Sequence, residues 1–216
     1  MINRKDIKQG SPEWFEAKWG KIGGTLSKGL FKGLKTLKID ILSQRNEEFE
    51  YEDNGYSSPA MDRGNDLEPF ARDYLNEYTG LKFLETGWLQ SEYNELLGIS
   101  PDGITECETK ACEIKCFGRK KHMEVVLNND IPLENIHQCL HYFTVNPKLK
   151  ELHFIAFRPE SKKAAFIKVL TLDSKINLGT ASRPLVKSVE CFRDRANEIA
   201  NDLLLDIKSL ETKITY

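Results

Sequence analysis

Asp102, Glu113 and Lys115 are the residues whose types and spacing could do chemistry together. Asp102 lies in Gly98-Ile-Ser-Pro-Asp-Gly-Ile104, and the other two lie in Ala111-Cys-Glu-Ile-Lys-Cys116. Ser100-Pro101-Asp102-Gly103 predicts a turn, because proline fixes φ and Asp-Gly supplies a left-handed position. The second segment alternates polar and apolar with the period of a half-buried strand. Such a strand puts Glu113 and Lys115 on one face and Ile114 on the other. If the two segments pair as a twisted hairpin, Asp102 arrives beside Glu113, with Lys115 one pleat further on. Two carboxylates at one point repel, and a hard divalent cation is the usual remedy. A lysine beside them can orient or deprotonate an attacking water.

Each half also has an ordinary reading, as a common Asp-Gly turn and as a solvated strand face. Taken together, Asp-(x10)-Glu-x-Lys with a proline before the aspartate matches the PD-(D/E)xK nuclease signature. The remaining elements must then position these groups.

The 216 residues, 40% of them hydrophobic, suffice for one globular domain with small insertions. No run of about 18 apolar residues predicts a membrane span. Met1-Ile-Asn-Arg-Lys-Asp6 lacks the apolar core of a secretion signal, so a cytoplasmic location is expected, in a bacterial or a phage- or virus-infected cell. Five irregularly spaced cysteines predict free thiols in a reducing compartment. Cys107, Cys112 and Cys116 lie close together without a CxxC pair, and are expected to act as small buried hydrophobes. A net charge of −2 does not advertise a nucleic-acid partner, but local fields bind phosphate, not totals.

Along the chain, Ser11-Pro12 predicts a helix cap and first turn, with the helix stopping by Gly20. Gly23-Gly24-Thr25 reads either as an anion-binding turn or as an ordinary corner before a second helix capped by Thr25. That helix, over 26–42, has an apolar stripe of Leu30, Leu34, Leu37 and Ile41 and a basic stripe of Lys28, Lys32 and Lys35. Six lysines and no acid fall between Ala17 and Ile39, a pattern that suits a DNA backbone. Gly29 and Gly33 weaken this helix by about 1 kcal/mol each relative to alanine.

An acidic stretch over 46–60 predicts an exposed insertion. Residues 61–80 predict a helix that buries Leu67, Phe70, Ala71, Tyr74 and Tyr78 and ends at Gly80. Pro69 there implies a start capped by Asp66, or a kink. Glu68 lies beside the apolar stripe and can pair with Arg72 at i+4. Strand pieces follow at Leu81–Glu85 and Gly87–Ser91. Beyond the central hairpin come a basic cluster of Arg119, Lys120 and Lys121 and a helix from Pro132 to Val145 carrying Gln138. Two strands, Glu151–Phe157 and Ala164–Leu170, form a hairpin, and a long helix from Pro184 to Leu210 closes the chain. The organisation expected for 1–216 is a helical phosphate-binding part (9–45), the acidic loop (46–60), a catalytic core (61–175) and the terminal helix (184–210).

Several of these segments resemble, in order, the phage lambda exonuclease and YqaJ-type viral recombinase family, a branch of the PD-(D/E)xK nucleases. They are Gln9-Gly-Ser-Pro-Glu-Trp14, Ala17-Lys-Trp-Gly-Lys-Ile-Gly-Gly-Thr25, Arg63-Gly-Asn-Asp-Leu-Glu-Pro-Phe-Ala71, Ser100-Pro-Asp-Gly103, Glu113-Ile-Lys-Cys116 and Gln138. The resemblance implies an α/β (α+β) fold with a mixed central sheet flanked by helices. It implies one or two Mg²⁺ ions, with Mn²⁺ as a substitute, held by Glu68, Asp102, Glu113 and the Ile114 carbonyl. Lys115, helped by Gln138, would activate or position the water. Lys18, Thr25 and Ser100 occupy the positions that hold a 5′-terminal phosphate in the family. Lysine at position 18, where the family has arginine, keeps the charge but loses the bidentate fork. The second glutamine common after Gln138 is also missing. The implied activity is 5′→3′ degradation of linear duplex DNA, leaving a 3′ strand for a single-strand annealing protein, with a homotrimer as the family's assembly.

Three other readings stand beside this one. A structure-specific endonuclease would share the same core. An inactive DNA-binding module is disfavoured by the intact Glu68, Asp102, Glu113 and Lys115. A protein-interaction domain would work through the acidic residues 47–53.

Overall fold

In a computed structural model, residues 2–4, 6–51, 58–179 and 182–214 are described. The fold is α+β with a mixed central sheet and helices on both faces. Its strands are β4 (Gly103–Ile104), β5 (Lys110–Lys115), β6 (Glu151–Phe157) and β7 (Ala165–Leu170), in that spatial order. β5 and β6 run parallel; the outer pairs are antiparallel. The parallel pair needs a crossover, which α4 (Arg119–Asn128) and α5 (Leu133–Val145) supply. Ahead of this sheet lies a smaller antiparallel one of β1 (Ile2–Arg4), β2 (Trp88–Gln90) and β3 (Gly98–Ile99). Bridges at Leu84↔Ile104 and Ile22↔Leu97 tie the N-terminal half to both sheets.

β5 is not the half-buried strand its alternation predicts. Cys112 and Ile114 pack with Ala71 and Leu75 of α3 (Pro59–Thr79), while Ala111 packs with Leu140 and Phe143 of α5. Helices on both faces bury it on both sides, so Glu113 is fully enclosed instead of lying on a solvated face. The other layer is closed by α6 (Val189–Ile214), which turns Val189, Phe192, Ala196, Ala200, Leu203 and Ile207 inward. That spacing is one face of a helix. It begins five residues later than predicted because β8 (Lys175–Asn177) and β9 (Val186–Ser188) form a hairpin ahead of it. Among the described residues no helix is long and apolar enough to cross a membrane.

Three local expectations change. The helix predicted over 26–42 is broken into a short 3₁₀ turn, Ser27–Leu30, and α2 (Leu34–Arg45). Gly33 stands between them at φ +102°, a conformation other residues avoid, and α2 starts from it. Leu34 is consequently exposed, and Thr25 caps nothing. The helix expected from 61 starts at Pro59, capped by the Ser58 hydroxyl, with Pro69 in its interior. It buries Ala71, Arg72 and Leu75, while Phe70, Tyr74 and Tyr78 face outward. The acidic stretch falls partly in 52–57, outside the described residues. The part before it folds back on the end of α1 (Pro12–Lys18), with Phe49 edge-on to Trp19 and Tyr51 against Phe15.

Candidate active site and adjoining cleft

The register Gly103↔Cys112 and Ile104↔Ala111, carried one residue further, sets Asp102 opposite Glu113. The pairing expected of the two segments is therefore present, but the turn is not where it was expected. Gly103 is extended in β4 without a positive φ, and the chain reverses at Thr105–Lys110, where Glu108 takes φ +60°. Asp102 Oδ2 accepts the Ile114 N–H at 2.6 Å. In a strand the N–H and C=O of one residue leave on the same side, so the Ile114 carbonyl also points past the end of β4 towards Asp102. Glu113 Oε2 accepts the Tyr142 hydroxyl at 2.8 Å. Its Oε1 meets the Lys115 ammonium, but no hydrogen-bond donor is aligned on it.

The electrostatics follow from this crowding. Burial and the charge of Glu113 push the Asp102 carboxyl well above the usual carboxylate range, against the pull of Lys115 and the Ile114 N–H. Burial works against the Lys115 ammonium, yet Glu113 and Asp102 outweigh it and hold its pKa above the ordinary lysine value. Burial also raises Glu68, with Arg72 opposing. Cys112 and Cys139, both enclosed, are pushed up by burial and stay thiols. Cys107 departs from the buried role expected of it: it is exposed, and hydrogen bonds from Thr105 and Thr109 lower it to about 7.

Glu68 approaches from α3, where Arg72 Nη2 holds its Oε1 at 2.6 Å, the predicted i+4 pair. The same guanidinium donates from Nε to the Asp102 carbonyl at 2.7 Å. Arg72 thus ties two of the expected metal ligands to one rigid group, a role its sequence context did not suggest. Replacing it with methionine leaves a half-buried carboxylate and the Asp102 carbonyl without their donor. Arg72→Met is expected to cost about 3 kcal/mol in a urea melt; a loss below about 1 kcal/mol would refute this account. Among the described residues no three His, Cys, Asp or Glu side chains already stand in metal-holding geometry. Glu68 is turned to Arg72, and Glu113 to Tyr142 and Lys115.

A cleft of about 540 Å³ opens beside these groups. Lys18, Thr25, Ser100, Asp102 and Gln138 all line it, so the residues expected to hold a phosphate share a wall with Asp102. Trp14 organises one side. Its indole N–H donates to Ser100 Oγ at 2.7 Å, and the Lys18 ammonium sits 3.4 Å above its ring. Burial lowers Lys18 to about 8. Gln9 donates to the Thr86 and Pro101 carbonyls at 2.9 and 3.0 Å, fixing the chain just before Asp102.

His141 joins the pieces from below. Its Nε2 lies 3.0 Å from the Ile22 carbonyl and 2.9 Å from the Gly98 carbonyl. Two acceptors require that this nitrogen carry the proton, and burial lowers the ring to about 4, so it stays neutral. One imidazole thereby fastens the Gly-Gly-Thr turn and β3 to α5, which carries Gln138. The residues proposed for the DNA backbone do not all remain free. Lys28, Lys32 and Lys35 are exposed, as are Arg119 and Lys120 at the start of α4. Lys121 is engaged by Glu134 at 2.6 Å and Glu124 at 3.7 Å.

The YqaJ-like viral recombinase domain matches residues 13–148, more than half of the chain and the part that contains the hairpin and all of the cleft's lining but Gln9. The chain belongs to that family. The YqaJ-like chain is also similar to the alkaline exonuclease LHK-Exo of Laribacter hongkongensis, with a TM-score of 0.69 at 20% identity. The structure of LHK-Exo in complex with dAMP matches at a TM-score of 0.71 and 20% identity. Both matches cover 95% of this chain and 98% of the other. No curated protein matches the sequence. At this identity the likeness speaks for the fold, which is the α+β fold expected. Family and fold together support a nuclease.

Proposed function

We propose that this YqaJ-like chain is a Mg²⁺-dependent deoxyribonuclease that degrades linear duplex DNA 5′→3′ and leaves 3′ single strands for phage-type recombination. The observation that carries the reading is Asp102 itself. It lines the cleft of Lys18, Thr25, Ser100 and Gln138, and its carboxylate accepts the backbone N–H between Glu113 and Lys115. A phosphate in the cleft would thus lie next to a carboxylate pair and an ammonium.

The residues fit a hard divalent cation. Glu113 is wholly buried, its Oε1 is met by the Lys115 ammonium without an aligned hydrogen bond, and a second carboxylate, Asp102, lies beside it on the Ile114 N–H. Glu68 would join after releasing Arg72. Bound there, one or two Mg²⁺ ions, or Mn²⁺ in their place, would neutralise the scissile phosphate and the charge on the leaving 3′ oxygen. Lys115 would orient the attacking water, and Gln138, across the cleft, would hold its other side. Lys28, Lys32, Lys35, Arg119 and Lys120 would bear on the duplex backbone.

The test is nucleotide release from linear, 5′-phosphorylated duplex DNA with Mg²⁺, beside nicked and closed circles. Release from linear DNA alone supports the exonuclease. Cutting of closed circles would instead point to an endonuclease, and no activity with Mg²⁺ or Mn²⁺ would sink the enzyme reading. Sedimentation of the purified chain tests the homotrimer, and pull-down of a co-expressed annealing protein tests that partner.

The cleft also makes a pH prediction. With a pKa of about 8, Lys18 is charged below that pH and neutral above it. Because kcat/KM reports the free enzyme, the preference for 5′-phosphate over 5′-hydroxyl ends is expected to fall roughly tenfold per pH unit above this point, down to the neutral amine's baseline. Lys18→Arg, charged throughout, should flatten the profile. A preference that holds constant to pH 10 in the wild type would show that Lys18 does not touch the phosphate.

A further inference from the structure

The Tyr142 hydroxyl takes no part in the chemistry proposed above, yet it touches a residue at its centre. Tyr142 is on α5, one turn beyond Gln138, and is 2% exposed. Its O–H lies 2.8 Å from Glu113 Oε2 and 3.2 Å from the Cys112 carbonyl. A hydroxyl has one proton to give, and the nearer, charged acceptor takes it. The two oxygens of Glu113 are therefore unlike. Oε2 is held by a neutral donor from a packed helix, whereas Oε1 faces only the Lys115 ammonium, without an aligned hydrogen bond.

We propose that Tyr142 is a positioning residue: its hydroxyl anchors Oε2 of Glu113, so that Oε1 alone is offered to a divalent cation. The proposal rests on the metal-dependent reading above. A carboxylate free to turn about its last bond can offer either oxygen or both. A donor fixed on one of them removes those alternatives before the cation arrives. Groups that orient a ligand in this way govern affinity for the metal. The position is set by the fold, since β5 and α5 are both core elements and neither residue can withdraw into solvent. The competing explanation is that Tyr142 merely fills the core and satisfies its hydroxyl on the Cys112 carbonyl.

Tyr142→Phe keeps the ring and removes the donor. The measurement is Mn²⁺ binding to the DNA-free protein by electron paramagnetic resonance, for wild type, Tyr142→Phe and Phe143→Leu. Phe143 is the next residue on α5 and 1% exposed, so its truncation loosens the same core without touching Glu113. Tyr142→Phe is expected to weaken Mn²⁺ binding roughly tenfold and to raise the Mg²⁺ needed for half-maximal cleavage by a similar factor. Phe143→Leu should lower the melting temperature and leave Mn²⁺ affinity within about twofold of wild type. Wild-type affinity in Tyr142→Phe overturns the proposal, as does an equal loss in Phe143→Leu, because either result makes Tyr142 ordinary core. If wild-type protein binds no Mn²⁺, the metal-dependent reading falls and takes this one with it. Wild-type binding with an unaffected Tyr142→Phe removes only the positioning role.

Discussion

Lys115→Ala is expected to lose cleavage of linear duplex DNA by about 10³-fold, the usual scale for removing a group that orients or activates the attacking water. The same substitution should disturb the metal-free protein for a separate reason. Glu113 is fully buried, and the Lys115 ammonium is the cation against it. Taking away one partner of a buried ion pair leaves the other uncompensated and costs about 3 kcal/mol. A divalent ion at Glu113 would replace the missing charge. Mg²⁺ should therefore raise the melting temperature of Lys115→Ala by more than it raises that of the wild type. Melting curves with and without Mg²⁺ thus separate lost chemistry from lost fold. Activity within a few-fold of wild type would remove Lys115 from the mechanism. Equal Mg²⁺ shifts in the two proteins would mean that the ion does not reach Glu113.

Gly98→Ala should be the most damaging small substitution outside the carboxylates. Gly98 sits on β3 under the ring of Trp88, and a methyl group there would fall inside the indole. Trp88 is 1% exposed and cannot swing away, while the adjacent pairing Leu89↔Ile99 holds the two strands together. Such overpacking is expected to cost about 3 kcal/mol or more in a urea melt. The damage should spread to the cleft, because the Gly98 carbonyl is one of the two acceptors of His141 and the chain continues into Ser100. Trimming the ring should return part of the loss. In the double variant Gly98→Ala with Trp88→Leu, the destabilisation should be less than the sum of the two single changes. Strict additivity would show that the clash is relieved by some other movement.

Much of the carboxylate hairpin was legible from residue order alone. The spacing of Asp102 from Glu113 lets the two meet across a short hairpin, and the alternation of β5 sets which residues share a face. The reversal itself falls at Thr105–Lys110, with Glu108 at φ +60°, and not at Ser100–Gly103, because Gly103 is an extended residue of β4. The Ser11-Pro12 start of α1 and the Gly80 end of α3 were likewise readable, since a cap acts within one turn of chain. Leu30, Leu37, Ile41 and Ala71 are buried as expected, but other inferences about which face is covered failed. Phe70, Tyr74 and Tyr78 look like a core stripe, yet the sheet is met by Ala71, Arg72 and Leu75 one position round the helix. Small side chains let α3 approach β5 closely and bring Arg72 to Asp102, a requirement invisible in a local window. Tyr142 carried one available signal, its i+4 spacing from Gln138, but nothing in the sequence says that Glu113 is its partner.

The sequence by itself therefore determined the family, the short hairpin that sets Asp102 opposite Glu113, and the face that Glu113 shares with Lys115, because each depends on residues close along the chain. The tertiary structure decided the rest. It enclosed Glu113 between two helices, set Lys18 on Trp14 where burial lowers its pKa, and broke the predicted second helix at Gly33. It also fastened the Gly23-Gly24-Thr25 turn to α5 through His141. These outcomes are contacts between segments tens of residues apart, where desolvation and packing are set by the neighbour and not by the chain on either side.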